Sequence, residues 1–345
     1  METRPFGETG VSVSKYCLGA MMFGPMGNAD HDECAAMVHT ALDAGINFID
    51  TADAYSRGES EEIVGKALAG RRDDVVLATK AFIPMSDDPN HRGGSRRWLI
   101  RAVEDSLRRL ATDHVDLFQL HRRDTTLDLD ESLSALDQLQ RDGKIRYGGM
   151  SATPAEWIVE ARHISDQRGH LRIRSEQVLY NLFSRGIERD VLPTCTRYGI
   201  GVMTYGPLNG GWLTGKYRRD EPAPDDSRAV RLGAVQGNRW DPERAANRTK
   251  LDLLDRLREL AATAGLPMTH LAHAWAAEHP AVSSVIIGPR TPAQLDDAIA
   301  SADVTLDHDL LDALDELVPP GTDIDTVDTT RPEPQLSRRV RRRPR

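Results

Sequence analysis

Cysteine is scarce in this 345-residue chain. Cys17, Cys34 and Cys195 are odd in number, scattered and without CxxC spacing, which argues against a disulfide framework or a zinc knuckle and leaves reduced, structural thiols. Apolar runs long enough to span a bilayer are missing, and METRPFGETG lacks the basic start and apolar core of a secretory signal, so the expected location is the cytoplasm, with no membrane partner. No GxGxxG falls between a strand-like run and a helical one; YGIGVMTYG has the wrong spacing and precedes a strand. The net charge of −9 hides an asymmetry, because residues 331–345 hold seven arginines against Glu333 alone and the first 330 residues carry −15. Such a Pro/Arg run reads as a solvated, disordered tail rather than a nucleic-acid binder. His270 and His273 have the spacing of a metal pair on a helix, yet no carboxylate or cysteine completes a site, so no metal is expected.

What is present is the 39% hydrophobic, 28% charged composition of a globular protein, with strand-like and helical segments in alternation. RPFGETGVSVSK turns at Gly7 and Gly10 and reads as a hairpin placed to plug one barrel end. YCLGAM (16–21) is a strand, followed by a helix near 31–44 with Asp30 as N-cap, Glu33 three residues on and Gly45 closing it. INFID (46–50), a helix at 59–69, VVLATK (75–80), a helix carrying Leu99, Val103, Leu107 and Leu110, and VDLFQLH (115–121) continue the pattern. Leu129, Leu133, Leu136 and Leu139 mark a helix, followed by IRYGGMS (145–151), a helix at 154–168, RSEQVLY (174–180) and IGVMTY (200–205). A long Pro/Gly/Asp-rich loop over 208–247 is expected next, then helices at 248–264 and 268–278, an eighth strand at 282–288, and helices at 292–301 and 308–317. This order favours a (β/α)8 TIM barrel with an N-terminal β-hairpin and an extra C-terminal helix, forming one domain over residues 1–330. An open doubly wound sheet is the alternative.

Asp50, Tyr55, Lys80 and His121 stand at or just past the ends of three successive strand-like runs. In parallel neighbours those ends share one rim, where α/β enzymes keep their active sites. A phenol, an ammonium, a carboxylate and an imidazole gathered there suit proton delivery to a carbonyl oxygen. The cation is expected to make the phenol a stronger acid, and hydride must come from a cofactor.

FIDTADAY (48–55), VVLATK, DLFQLH, GMSATP, EQVLYN and YGPLNGGWLTGKY resemble the successive motifs of the aldo-keto reductase superfamily, from about residue 4 to 318, in its bacterial and channel-β-like branches. The resemblance implies NADPH bound in extended form and a small aldehyde or ketone as substrate. It makes Tyr55 the general acid, Lys80 its neighbouring cation, Asp50 the partner of Lys80, and His121 the group that orients the carbonyl. Ser151 and Gln177 match residues that hold the nicotinamide carboxamide, and Tyr205 matches the aromatic beneath the nicotinamide ring. The remaining expected cofactor contacts are Gly19, Ala20, Met21, Asp50, Gly206, Pro207, Leu208, Gly211, Lys216, Arg228, Gly288, Arg290 and Gln294.

Within that set, the segment from Gly210 to Lys216 nearly spells a nucleotide-triphosphate loop, but Tyr217 replaces the required Ser or Thr, so it is assigned to the cofactor diphosphate. Gly288 and Arg290 precede a helix, where backbone donors and a guanidinium favour a phosphate, and NADPH is expected over NADH. Met22, Phe23, Phe82 and Trp212 are candidates for an apolar substrate wall. Ala152 and Ala298 replace asparagines common among relatives, Ala20 a threonine and Gly206 a serine. The alternative reading is a cofactor-sensing barrel like the potassium-channel β subunits, with incidental turnover, although those relatives commonly lack a histidine at the position of His121. A metal-dependent hydrolase lacks a ligand cluster.

Overall fold

The computed structural model describes residues 1–328 apart from 220, 226 and 327. The basic segment 331–345 therefore lies outside the described residues.

The chain opens with an antiparallel hairpin, β1 (Thr3–Pro5) and β2 (Ser12–Ser14). Eight short apolar runs then form β3 (Tyr16–Gly19), β4 (Phe48–Asp50), β5 (Val76–Ala81), β6 (Val115–Leu120), β7 (Ile145–Ser151), β8 (Ser175–Leu179), β9 (Gly201–Tyr205) and β10 (Val282–Ile287). They pair in parallel, in chain order, and β10 returns to β3, so the sheet closes into a barrel. This is the (β/α)8 architecture expected from the sequence, and closure excludes the open sheet.

The helices are α1 (His31–Asp43), α2 (Glu59–Ala67), α3 (Arg96–Arg109), α4 (Leu129–Arg141), α5 (Ala155–Arg168), α6 (Val191–Arg197), α7 (Arg228–Gln236), α8 (Ala245–Thr263), α9 (Met268–Glu278), α10 (Pro292–Ala300) and α11 (His308–Leu317). Asp30 caps α1 by accepting from the N–H groups of Asp32 and Glu33, while the Glu33 carboxylate accepts from Asn28 Nδ2 rather than folding back on the cap. Two features depart from expectation. The seven-residue α6 fills a span to which the sequence assigned no element, and residues 208–247 are not a loop throughout, since they contain a 3-10 turn at Asn209–Thr214 as well as α7.

Strand alternation sorts the side chains into two shells. Leu18, Ile49, Leu77, Phe118 and Val285 face the helices and join the large outer core. Cys17, Phe48, Ala78, Leu117, Met203 and Ile286 face inward and form a separate core inside the barrel. The hairpin completes this inner core from below. Phe6 stands edge-on to Phe48 at 5.4 Å between ring centres, and Gly7 (φ 54°) sits so close to the backbone of residues 199–201 that a Cβ would lie 2.4 Å from Gly201 N. The next inward positions toward the strand ends are Asp50, Lys80, Gln119, Ser151, Gln177 and Tyr205, so the core turns polar at the C-terminal rim.

Candidate active site

Parallel register aligns the rim. Asp50 pairs with Gly19 and Ala78, Lys80 with Gln119, and Ser151 with Gln177. The loop after β4 folds onto β5 through Thr51 N–H to Ala78 O and Asp53 N–H to Lys80 O, which carries Tyr55 over the barrel mouth. Its turn is unusual, because Ser56 (φ 48°) and Arg57 (φ 57°) both adopt left-handed backbone ahead of Gly58 (φ 100°). Such a costly conformation persists only where surroundings enforce it. Here Ser56 Oγ donates to Phe23 O at 2.8 Å and Ser56 N–H approaches Met26 Sδ.

Lys80 has no solvent exposure and donates to Asp50 Oδ2 at 2.5 Å and to Thr51 O at 2.7 Å. Its Nζ is 5.0 Å from the centre of the Tyr55 ring and also reaches the phenol hydroxyl. The Tyr55 and His121 rings meet edge-on at 5.7 Å. All four residues named from the strand ends are therefore neighbours.

Electrostatics at the site run partly against expectation. Burial drives the Tyr55 phenol upward, Lys80 pulls it down and Asp50 pushes it up again, with a net rise. Lys80 tempers the phenol without making it an ordinary-pH acid, so the resting tyrosine holds its proton. Burial also pulls Lys80 downward, but the Asp50 carboxylate and Tyr55 outweigh it and the ammonium stays charged. His121 is held far below the usual imidazole range by burial and then by the positive charges of Lys80 and Arg122, so it is neutral; its buried Nδ1 has no hydrogen-bond partner.

The second Asp50 oxygen, Oδ1, accepts from Gln119 Nε2 at 3.1 Å and from Gln177 Nε2 at 2.9 Å. Gln119 was not singled out from the sequence, although it precedes His121 by two and so shares its face of β6. Gln177, expected at a carboxamide, is thus also tied to the Asp50 carboxylate. Ser151 lies beside it with Oγ buried and unpartnered, and Tyr205 closes the neighbouring strand end half-buried.

The other expected cofactor residues line the same rim. Gly19 faces inward, where a Cβ would come within 2.5 Å of Ile286 Cγ2; Ala20 is buried and Met21 half-buried just beyond. Gly206 (φ 67°), Pro207 and Leu208 lead into a turn with Gly210 (φ 68°), Gly211 (φ 101°) and Gly215 (φ 76°) all left-handed. Lys216 lies across it, its Cε 3.3 Å from where a Gly211 Cβ would stand. Arg228, at the start of α7, brings its guanidinium to Met22 Sδ at 3.5 Å, while burial and then the nearby Arg239 charge depress its pKa. Beyond β10, Gly288 is exposed with open space at its Cβ position, and Arg290 N–H donates to Gln294 Oε1 at 2.9 Å in front of α10. Left-handed glycines, a lysine and crowded guanidiniums make a surface suited to phosphate.

The proposed apolar wall needs correction. Phe23 and Trp212 are 0% and 2% exposed and belong to the outer core, Trp212 lying against Tyr217 and beneath Lys250; Met22 is buried against Arg228, and of the four only Phe82 is half-open. Ala298, where an asparagine was noted in relatives, is buried in that core too. His270 pairs with Asp297 at 3.0 Å and His273 is buried beside Ser301, which places the two histidines in packing roles. Among the described residues no helix is long and apolar enough to cross a membrane.

The family model for the aldo/keto reductase family matches residues 15–319. The chain is 36% identical to the uncharacterized oxidoreductase YrpG of Bacillus subtilis (strain 168), covering 93% of this chain and 97% of that protein. It is 34% identical to a probable voltage-gated potassium channel subunit beta of Oryza sativa subsp. japonica, over 92% and 97% respectively. To the aldo-keto reductase YhdN of Bacillus subtilis (strain 168) it is 34% identical, over 86% and 87%. With a closed barrel and the Asp50, Tyr55, Lys80 and His121 cluster at its rim, this chain is an oxidoreductase belonging to the aldo/keto reductase family.

Proposed function

We propose that the protein reduces small aldehydes or ketones to alcohols with NADPH, using Tyr55 as the proton donor. The observation that carries this reading is the continuous contact from Asp50 through Lys80 to a Tyr55 that holds its proton. Bound NADPH supplies the hydride. Neutral His121 orients the substrate oxygen toward the phenol through a ring N–H, and Tyr55 transfers its proton to that oxygen. The phenolate left behind faces a fixed ammonium, which Asp50, Gln119 and Gln177 hold in place, so the new charge needs little reorganisation. Ser151 and Gln177 would hold the carboxamide and Tyr205 would support the ring. Lys216, Arg228 and Arg290 would meet the diphosphate and 2′-phosphate, which favours NADPH over NADH.

The named channel-β relatives support a second reading, a redox-sensing barrel with slow turnover; His121 in contact with Tyr55 argues for catalysis instead. Steady NADPH consumption with an aldehyde panel, followed by fluorescence, tests the proposal, with Tyr55→Phe as control. Loss of turnover in Tyr55→Phe with cofactor binding retained is the expected result, and turnover within a few fold of the parent protein refutes the assignment.

A further inference from the structure

Behind the site lies a carboxyl group that this mechanism does not use. Asp53 stands two residues before Tyr55 and is 1% exposed, and its own N–H is bonded to the Lys80 carbonyl at 3.0 Å. Neither of its carboxyl oxygens has a hydrogen bond of good geometry, and the Ala54 N–H gives only weak support. A buried carboxylate without donors is costly, and a neutral acid is the cheaper state.

The surroundings point the same way. The Glu61 carboxylate on α2 is fully buried nearby, and its own partners are Arg109 Nε of α3 at 2.7 Å and Thr79 Oγ1 of β5 at 2.5 Å. Arg109 is therefore engaged by Glu61, while Lys80 is engaged by Asp50. The charged groups facing Asp53 are these: Glu61, which opposes ionisation, and Arg109 and Lys80, which favour it. Burial and then Glu61 win, and the Asp53 carboxyl is pushed up to about 8.

We infer that Asp53 is a positioning residue carried as the neutral acid, and that its ionisation adds a second negative charge in the neighbourhood of Lys80 and so limits proton delivery by Tyr55 at alkaline pH. The proton leaves to solvent, and no bond to substrate is involved. A new anion near Lys80 stabilises the ammonium but disfavours the phenolate that must form in turnover. This inference rests on the reductase reading for its consequence, though not for the protonation state itself.

The full-length protein and Asp53→Asn test it in two ways. Without any turnover, the unmodified protein at pH 6.5 is expected to show an infrared carbonyl band of a protonated carboxyl that disappears by pH 9.5 and is absent from Asp53→Asn. A folded-state pKa above the unfolded value means this group's contribution to stability is complete below about pH 4 and is lost progressively until pH has risen through about 8. The thermal midpoint of the parent should thus fall across that interval while that of Asp53→Asn stays flatter. In turnover, the alkaline limb of kcat should move upward by one pH unit or more in Asp53→Asn. Superimposable pH profiles, or no such band, overturn the inference. If Asp53→Asn does not fold, Glu61→Gln decides, because removing the opposing carboxylate should move the band and the limb to lower pH, and an unmoved limb and band refute the assignment. A protein with the band but without reductase turnover keeps the neutral Asp53 and discards the function proposed above.

Discussion

Replacing Lys80 by methionine separates the electrostatic role of that residue from its packing. The side chain has no exposure, its ammonium holds Asp50 at 2.5 Å, and methionine fills similar volume without charge. The change leaves the buried Asp50 carboxyl without its cation, with only the Gln119 and Gln177 amides as donors. Removing one partner of a buried pair costs about 3–5 kcal/mol, a large part of the roughly 5–15 kcal/mol that holds an ordinary domain together. The same variant deprives the phenolate of its counter-charge, and loss of assisted proton transfer is worth on the order of 10²–10⁴ in rate, or about 3–5 kcal/mol of barrier. Urea midpoints and NADPH-dependent turnover measure the two effects separately. The double variant Asp50→Asn/Lys80→Met then distinguishes them: with both charges gone, most of the stability should return while turnover stays low. Should Lys80→Met keep turnover within a few fold, or should the double variant be no more stable than the single one, the account of this pair is wrong.

Two further outcomes are expected. His121 is neutral in the folded protein and charged below about pH 6.5 when unfolded, so its contribution to stability is present above that pH and is lost as pH falls. His121→Gln should therefore narrow the drop in thermal midpoint between pH 7 and pH 5, only in part, because buried His273, with its pKa lowered to about 4, acts in the same direction. Ala152 is held at φ 55°, a backbone state that asparagine tolerates better than alanine. Ala152→Asn should raise stability by about 0.5–1 kcal/mol and tighten NADPH binding, read by denaturation and by fluorescence titration; weaker binding with unchanged stability contradicts both halves.

The strands and most helices were legible because apolar periodicity marked them, and at α1 the Asp30 cap and the closing Gly45 agreed with it. Helix α6 escaped notice because it has seven residues and contains Pro193, and α7 because it follows a Pro- and Asp-rich stretch. That Asp50, Tyr55, Lys80 and His121 gather at one rim was readable from the strand ends alone. The turn that presents Tyr55 was not, since Ser56 and Arg57 carry no signal for left-handed backbone. Phe23 and Trp212 misled because an aromatic after a strand looks the same in sequence whether it lines a pocket or supports one. Asp53 and Gln119 matter through partners 8 to 69 positions away, a kind of link that local pattern does not carry.

The Phe6 hairpin seals one opening of the barrel with an aromatic pair and a glycine that admits no side chain. On the reductase reading proposed above, reactant, reductant and product must then all come and go through the opposite mouth. Selection can then rework the loops around that doorway for new reactants while the sealed floor continues to hold the staves together.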